Sequence, residues 1–162
     1  SVLVEIYRGF GVEITFKKNT ILLRKIENFQ LPTSNFKLNL QNAPDIAQTI
    51  AVTCFGLGMG CHLMGLHTLK IKETDRLEAL KTELTKLGAA ISVTNDSLTL
   101  QPSDVINENV SIVTYQDHRM AMAFAPLALK TSISIENAEV VSKSYPTFWE
   151  DLKQVGFQTE II

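Results

Sequence analysis

Lys72-Glu73-Thr74-Asp75-Arg76, Asp117-His118-Arg119 and Lys143-Ser144-Tyr145-Pro146 gather most of the chain's unusual side chains into three short runs, and Pro44-Asp45 adds a further carboxylate. Each run precedes an apolar segment of helical spacing, so each is read as a junction where a strand gives way to a helix. A helix N-terminus carries unpaired N–H groups and the positive end of a dipole, which favours anions. Lys72, Arg76, Arg119 and Lys143 are nonetheless cations, and a misplaced charge there costs about 0.3–1 kcal/mol in an exposed helix. A bound anion would offset that repulsion. Taken singly, each run has a plainer reading. Lys72 to Arg76 is a solvated helix start with local ion pairs of little worth, His118 satisfies a backbone carbonyl, and Asp45 is a first-turn acid stabilised by the dipole. Three basic groups at equivalent points of a repeat require three coincidences, and this tips the reading towards an anion site.

The repeat that positions them is visible in the chain itself. Gly11-Val-Glu-Ile-Thr-Phe-Lys-Lys-Asn-Thr-Ile-Leu-Leu-Arg24 aligns without a gap to Gly88-Ala-Ala-Ile-Ser-Val-Thr-Asn-Asp-Ser-Leu-Thr-Leu-Gln101. Each reads as a glycine at a helix C′ position, an alternating strand, a polar turn at Lys18-Asn19 or Asn95-Asp96, and a returning strand. A third copy begins at Gly156 and lacks its hairpin partner. Leu77, Leu80, Leu84 and Leu87 put four leucines on one helical face. Phe148, Leu152 and Val155 predict the buried stripe of a last helix, with Pro146 in its first turn. Pro44 suits the start of a helix running to about Phe55, and Asp117 can cap one running to about Leu129. The unit is therefore strand, helix, strand, helix and hairpin, repeated about every 75 residues. Such alternation gives an α/β class. No linker interrupts it, so one domain is expected over 1–162.

Length and composition bound the rest. A chain of 162 residues, 45% hydrophobic and 20% charged, matches one globular domain with a buried core. A net charge of −2 gives no global attraction to nucleic acid or acidic membranes, so anion binding must come from local Lys and Arg. Met120 to Leu129, the longest apolar stretch, is too short to span a bilayer. Cys54 and Cys61 fit neither a disulfide framework nor a metal site, and read as buried thiols in a reducing cytoplasm. No signal peptide is visible, and the opening at Ser1, without an initiator Met, predicts a piece of a longer protein.

Lys72-Glu-Thr-Asp-Arg76, Asp117-His-Arg-Met-Ala-Met122, Lys143-Ser-Tyr-Pro146 before an aromatic, and Pro44-Asp-Ile-Ala-Gln-Thr-Ile-Ala51 together resemble the signatures of the 5-enolpyruvylshikimate-3-phosphate synthase family, in that family's order and spacing. The resemblance covers nearly the whole chain. It implies an α/β fold of repeated βαβαββ units, three to a domain, in a two-domain enolpyruvyl transferase; this chain would be most of the second domain, with the N-terminal domain absent. It implies transfer of the enolpyruvyl group of phosphoenolpyruvate to the 5-hydroxyl of shikimate 3-phosphate, with release of phosphate and no metal or organic cofactor. By the same resemblance Asp45 is the base that holds the attacking hydroxyl, Glu73 the proton donor, and Lys72 a neighbour of the reacting centre. Arg76, Arg119 and Lys143 grip phosphoenolpyruvate, His118 positions it, and Asp45, Thr68 and Lys72 lie on the shikimate side.

Two other readings stay open. A sister family transfers the same group to a UDP-sugar on the same fold, and a non-catalytic anion-binding module could retain the fold without the reaction. Asp75 and Asp117 are expected to cap helices and orient the adjacent arginines. His62 and His67 are expected on a strand without chemical role, Met59, Met64, Met120 and Met122 as core or near-core packing, and Trp149 as packing on the last helix.

Overall fold

The computed structural model describes residues 2–32, 35–71 and 74–161. They fall into two compact units, Ser1–Ser34 and Asn35–Ile162. In the first unit, helix α1 (Val2–Arg8) leads through Gly11 into an antiparallel hairpin of β1 (Val12–Lys17) and β2 (Thr20–Lys25). Ile6 and Phe10 are buried, while Phe16, Ile21 and Leu23 leave an apolar face of the hairpin exposed.

The second unit opens with one complete strand–helix–strand–helix–hairpin set. Strand β3 (Phe36–Asn39) is followed by a 3-10 turn (Pro44–Ile46), α2 (Ala47–Gly56), β4 (Cys61–Met64), a 3-10 turn (His67–Ile71), α3 (Arg76–Lys86), β5 (Ile91–Val93) and β6 (Ser97–Leu100). Its sheet has the order β3-β4-β6-β5, with β3 and β4 parallel and β6 antiparallel to both neighbours. A further set follows as β7 (Val110–Ile112), α4 (His118–Phe124), a 3-10 turn (Ala125–Leu129), β8 (Ile133–Ile135), a 3-10 turn (Ala138–Lys143) and α5 (Phe148–Gln154), with β7 and β8 again parallel. Parallel strands joined through a helix are what the strand–helix alternation requires.

The repeat holds at the level of individual pairs. Ile14 faces Leu23 and Phe16 faces Ile21 in the first hairpin; Ile91 faces Leu100 and Val93 faces Leu98 in the second. These are the same positions of the aligned segments. Gly11, Gly88 and Gly156 have φ of +85°, +98° and +102°, the left-handed conformation that ends each preceding helix. The N–H after Gly88 bonds the Leu84 carbonyl at 3.0 Å, and that after Gly156 bonds the Leu152 carbonyl at 3.1 Å, closing the same six-residue loop.

Burial follows the leucine stripe. Leu77, Leu80, Leu84 and Leu87 are all fully buried, packed under a sheet whose Leu63, Leu98 and Leu100 are buried too. Helix α2 is apolar on most sides because it also packs on α4. A smaller cluster of Ala121, Ala125, Val140, Val141 and Phe148 draws in Leu152 and Trp149, whose indole N–H bonds the Ala138 carbonyl at 2.9 Å.

Several local expectations need correction. Val155 is 74% exposed, because α5 ends at Gln154 and the stripe stops with Leu152. Pro146 lies ahead of α5 rather than in its first turn, and Thr147 is the cap residue. The helix expected through Leu129 tightens to 3-10 after Phe124, since Pro126 has no N–H to continue the α pattern. His67 starts a 3-10 turn instead of lying in a strand, and Met64, at a strand end, is exposed.

Candidate functional site

Asp45 and Asp117 occupy the same place in successive units, just ahead of α2 and α4, and are 72 residues apart. Cys61 and Ile133, which open β4 and β8, have the same separation, as do Arg76 and Phe148, which open α3 and α5. Arg76 joins the two carboxylates. Its Nε donates to Asp117 Oδ2 at 2.7 Å and its Nη1 donates to Asp45 Oδ1 at 2.9 Å. The guanidinium is thereby clamped along two edges, and Arg76 is only 2% exposed. Arginine suits this bridge because its planar fork can serve two acceptors at once.

Asp117 is as buried as its partner and fully satisfied. Its Oδ1 accepts the Arg119 backbone N–H at 2.9 Å, capping α4, and its Oδ2 accepts Gln48 Nε2 at 3.3 Å besides Arg76. Burying two opposite charges costs desolvation energy that only such saturation offsets. Arg119 is held more loosely: Nη2 donates to Asp45 Oδ2 and Nη1 to the Asp45 carbonyl, both at 3.4 Å. Its side chain is about as open to solvent as that of Asp45, 38% against 39%. Lys143 Nζ donates to the Gln116 carbonyl at 3.2 Å, and His118 Nε2 lies 3.1 Å from Ser144 Oγ.

The sequence-based candidates sort accordingly. Asp45, Arg76 and Arg119 form one cluster, and Lys143 and His118 are tied to the segment that leads into α4. Lys143 closes a 3-10 turn and does not sit at the start of α5, so it meets no adverse dipole. Nor do Arg76 and Arg119 stand uncompensated at their helix starts, because Asp45 and Asp117 answer their charge. For Arg76 and Arg119, the repulsion read as calling for a bound anion is already offset within the protein. Thr68 lies in the His67–Ile71 turn, with its hydroxyl buried and no hydrogen-bond partner among the described residues. Lys72 and Glu73 lie outside the described residues. Asp75 caps α3, accepting the Leu77 and Glu78 N–H groups, as expected. Asp117 caps α4 as expected, but the arginine side chain it orients is the distant Arg76 rather than the adjacent Arg119.

Two further participants escaped the sequence reading. Gln48 supports Asp117 from α2. Glu83, on the leucine-bearing face of α3, is buried and accepts the Tyr115 hydroxyl at 2.8 Å. An acid three residues after Leu80 and four before Leu87 was the available signal, because a charge on an apolar helix face needs a buried partner. The Cys54 thiol, hydrogen-bonded to the buried thiol of Cys61 and itself buried, is pushed up and away from thiolate. Among the described residues, no three His, Cys, Asp or Glu side chains come together as a metal site. No helix among them is long and apolar enough to cross a membrane.

The family model described as EPSP synthase (3-phosphoshikimate 1-carboxyvinyltransferase) matches residues 1–152. The chain belongs to the EPSP synthase family. A 3-phosphoshikimate 1-carboxyvinyltransferase of Bacteroides fragilis is 41% identical over 160 residues, covering 97% of this chain and 38% of the relative. One of Clostridium kluyveri is 32% identical over 157 residues, with 96% and 35% covered. The chain thus spans between a third and two fifths of the length of these EPSP synthase relatives. Among solved structures, EPSP synthase of Acinetobacter baumannii superposes with a TM-score of 0.71 at 22% identity, over 98% of this chain and 39% of that one. The enolpyruvyl transferase NikO of Streptomyces tendae gives 0.64 at 14% identity, over 94% and 34%. These likenesses establish the enolpyruvyl transferase fold, of which the repeated βαβαββ unit is a part.

Proposed function

We propose that the full-length protein containing this chain transfers the enolpyruvyl group of phosphoenolpyruvate to the 5-hydroxyl of shikimate 3-phosphate, in the cytoplasm and within aromatic amino acid biosynthesis. Residues 1–162 would supply the greater part of its second domain. The observation that carries the reading is the Asp45–Arg76–Asp117 bridge with Arg119 beside it, built on motifs that resemble the signatures of the EPSP synthase family.

In this reading the hydroxyl oxygen bonds to C2 of phosphoenolpyruvate, and Asp45 takes the hydroxyl proton. Glu73 protonates the methylene carbon. The methyl group then gives a proton back to Glu73 and phosphate leaves with the proton that Asp45 took, which restores the double bond and both carboxyl groups. Two guanidiniums fix the orientation of the Asp45 carboxylate, a useful constraint on a base that must reach one particular hydroxyl. Arg119 and Lys143 offer the accessible positive charge for the phosphoenolpyruvate anions, with Arg76 contributing from a buried position and His118 positioning the ligand. Thr68 and Lys72 would face shikimate 3-phosphate. No cofactor or metal is called for.

The test uses the full-length chain with phosphoenolpyruvate and either shikimate 3-phosphate or a UDP-sugar as acceptor, following phosphate release. Release with shikimate 3-phosphate alone supports the reading. Release only with the UDP-sugar assigns the sister reaction, and saturable anion binding without release under either condition assigns a binding module.

A further inference from the structure

The segment that delivers Asp117 and Arg119 is held from behind by a carboxylate outside their cluster. Glu83, on α3, is 0% exposed. Its Oε1 accepts the Tyr115 hydroxyl at 2.8 Å, and its Oε2 accepts the Val113 backbone N–H at 3.1 Å and Lys86 Nζ at 2.6 Å. Only Lys86 belongs to the same helix. The other two donors lie in the five residues that connect β7 to α4.

That connection is strained. Tyr115 and Gln116 have φ of +53° and +60°, and neither is glycine. Left-handed backbone is unfavourable for an ordinary L-residue and persists only where the surroundings impose it. Here four hydrogen bonds impose it. Glu83 holds Val113 and Tyr115, Lys143 Nζ holds the Gln116 carbonyl at 3.2 Å, and the Asp117 N–H closes the turn on the Thr114 carbonyl at 2.9 Å. The chain reverses at Tyr115-Gln116 and sets Asp117 against Arg76 Nε. At the equivalent junction before α2, Ala43 has φ of −153° and Pro44 follows, so no such turn is needed there.

We infer that Glu83, acting through the Tyr115 hydroxyl, is a positioning residue for the anion site. It fixes the left-handed turn so that Asp117 engages Arg76 and the Arg119 guanidinium stays beside Asp45. The inference deepens the reading given under Proposed function and rests on it for its kinetic consequences. A plain structural anchor between α3 and β7 would instead affect stability without touching the ligand or the bridge.

Two variants of the full-length protein separate these roles. Tyr115→Phe removes one hydroxyl and keeps the ring, and Glu83→Gln keeps the side-chain size while replacing one acceptor oxygen by a donor. Tyr115→Phe is expected to raise KM for phosphoenolpyruvate about tenfold, because small misplacements of a positioned group are costly. KM for shikimate 3-phosphate should stay within about twofold. In the unliganded protein, the Arg76 Nε–H proton should exchange with water several-fold faster by NMR than in the unsubstituted protein. Glu83→Gln should move both readouts in the same direction; if it does not fold, Tyr115→Phe decides alone. Unchanged KM for phosphoenolpyruvate together with unchanged Arg76 exchange overturns the inference, even if the melting temperature falls. Should the unsubstituted protein release no phosphate with either acceptor, the reaction assignment fails, and Arg76 exchange still decides the positioning role.

Discussion

Asp45 has both carboxylate oxygens occupied, one by Arg76 at 2.9 Å and one by Arg119 at 3.4 Å. Its side chain is still open enough to meet a substrate hydroxyl. Replacement by Asn preserves shape but cannot take the proton, so Asp45→Asn in the full-length protein should lower turnover by about a hundredfold or more, read as phosphate release. Near-normal turnover would remove Asp45 from the reaction. If the proposed function holds, Arg119→Ala in the full-length protein should weaken phosphoenolpyruvate binding by roughly 2–4 kcal/mol, measured by titration, since it removes a charge partner of the anion. Sequence spacing pointed to Arg76 and Arg119, and the family resemblance to Asp45, without revealing their pairing. Spacing locates residues along the chain, whereas the Arg76–Asp117 contact joins residues 41 positions apart in successive repeats and depends on how their helices pack. For the same reason the cations at helix starts suggested an external anion when the compensating carboxylates were internal.

At the scale of the elements, helix α3 does two jobs from one buried face. Its leucines hold it to the sheet, and its first residue and Glu83 organise the site. Leu84→Ala should cost about 2–5 kcal/mol of stability by urea unfolding, the range for a fully buried leucine that leaves a cavity. Alkaline pH tests the second job. Burial, reinforced by the bond to Glu83, pushes the Tyr115 phenol up to about 12 from its ordinary value of 10.0. A group whose pKa is raised on folding stabilises the protein fully below the unfolded value and loses that contribution as pH rises through the folded one. Stability should therefore decline between about pH 10 and 12, and Tyr115→Phe should flatten that decline. Both hairpins, the capped start of α3 and the capped start of α4 were legible, because turn residues, alternation and Asp caps are local signals. The end of α5 and the 3-10 tightening after Phe124 were not. Helix ends depend on which residues find cover, and Val155 finds none.

For the molecule as a whole, the chain carries between a third and two fifths of the length of the relatives it matches. Isolated, it should fold but not turn over, because the reaction needs both substrates enclosed and water excluded. Phosphate should still bind weakly near Arg119 and Lys143, on the order of millimolar, and should release as salt is raised. Multiple turnover by the isolated chain would refute this, and an NMR titration at two ionic strengths checks the binding.

The exposed face of the first hairpin bears on how such experiments are read. Phe16, Ile21 and Leu23 lie in the open, while Leu98 and Leu100, the counterparts of Ile21 and Leu23 in the second hairpin, are fully buried. Lys17, Lys18, Arg24 and Lys25 put charge along the hairpin's margins, which discourages strand-to-strand growth into fibrils. The apolar face keeps its grip on any oily small molecule. A fluorescent dye that lights up on apolar surfaces is ordinarily taken to report a collapsed, loosely packed state. With this chain the dye would light up on the native protein. A bright signal after purification would then not by itself mark a misfolded sample, and near-ultraviolet circular dichroism would be the measurement that tells the two apart.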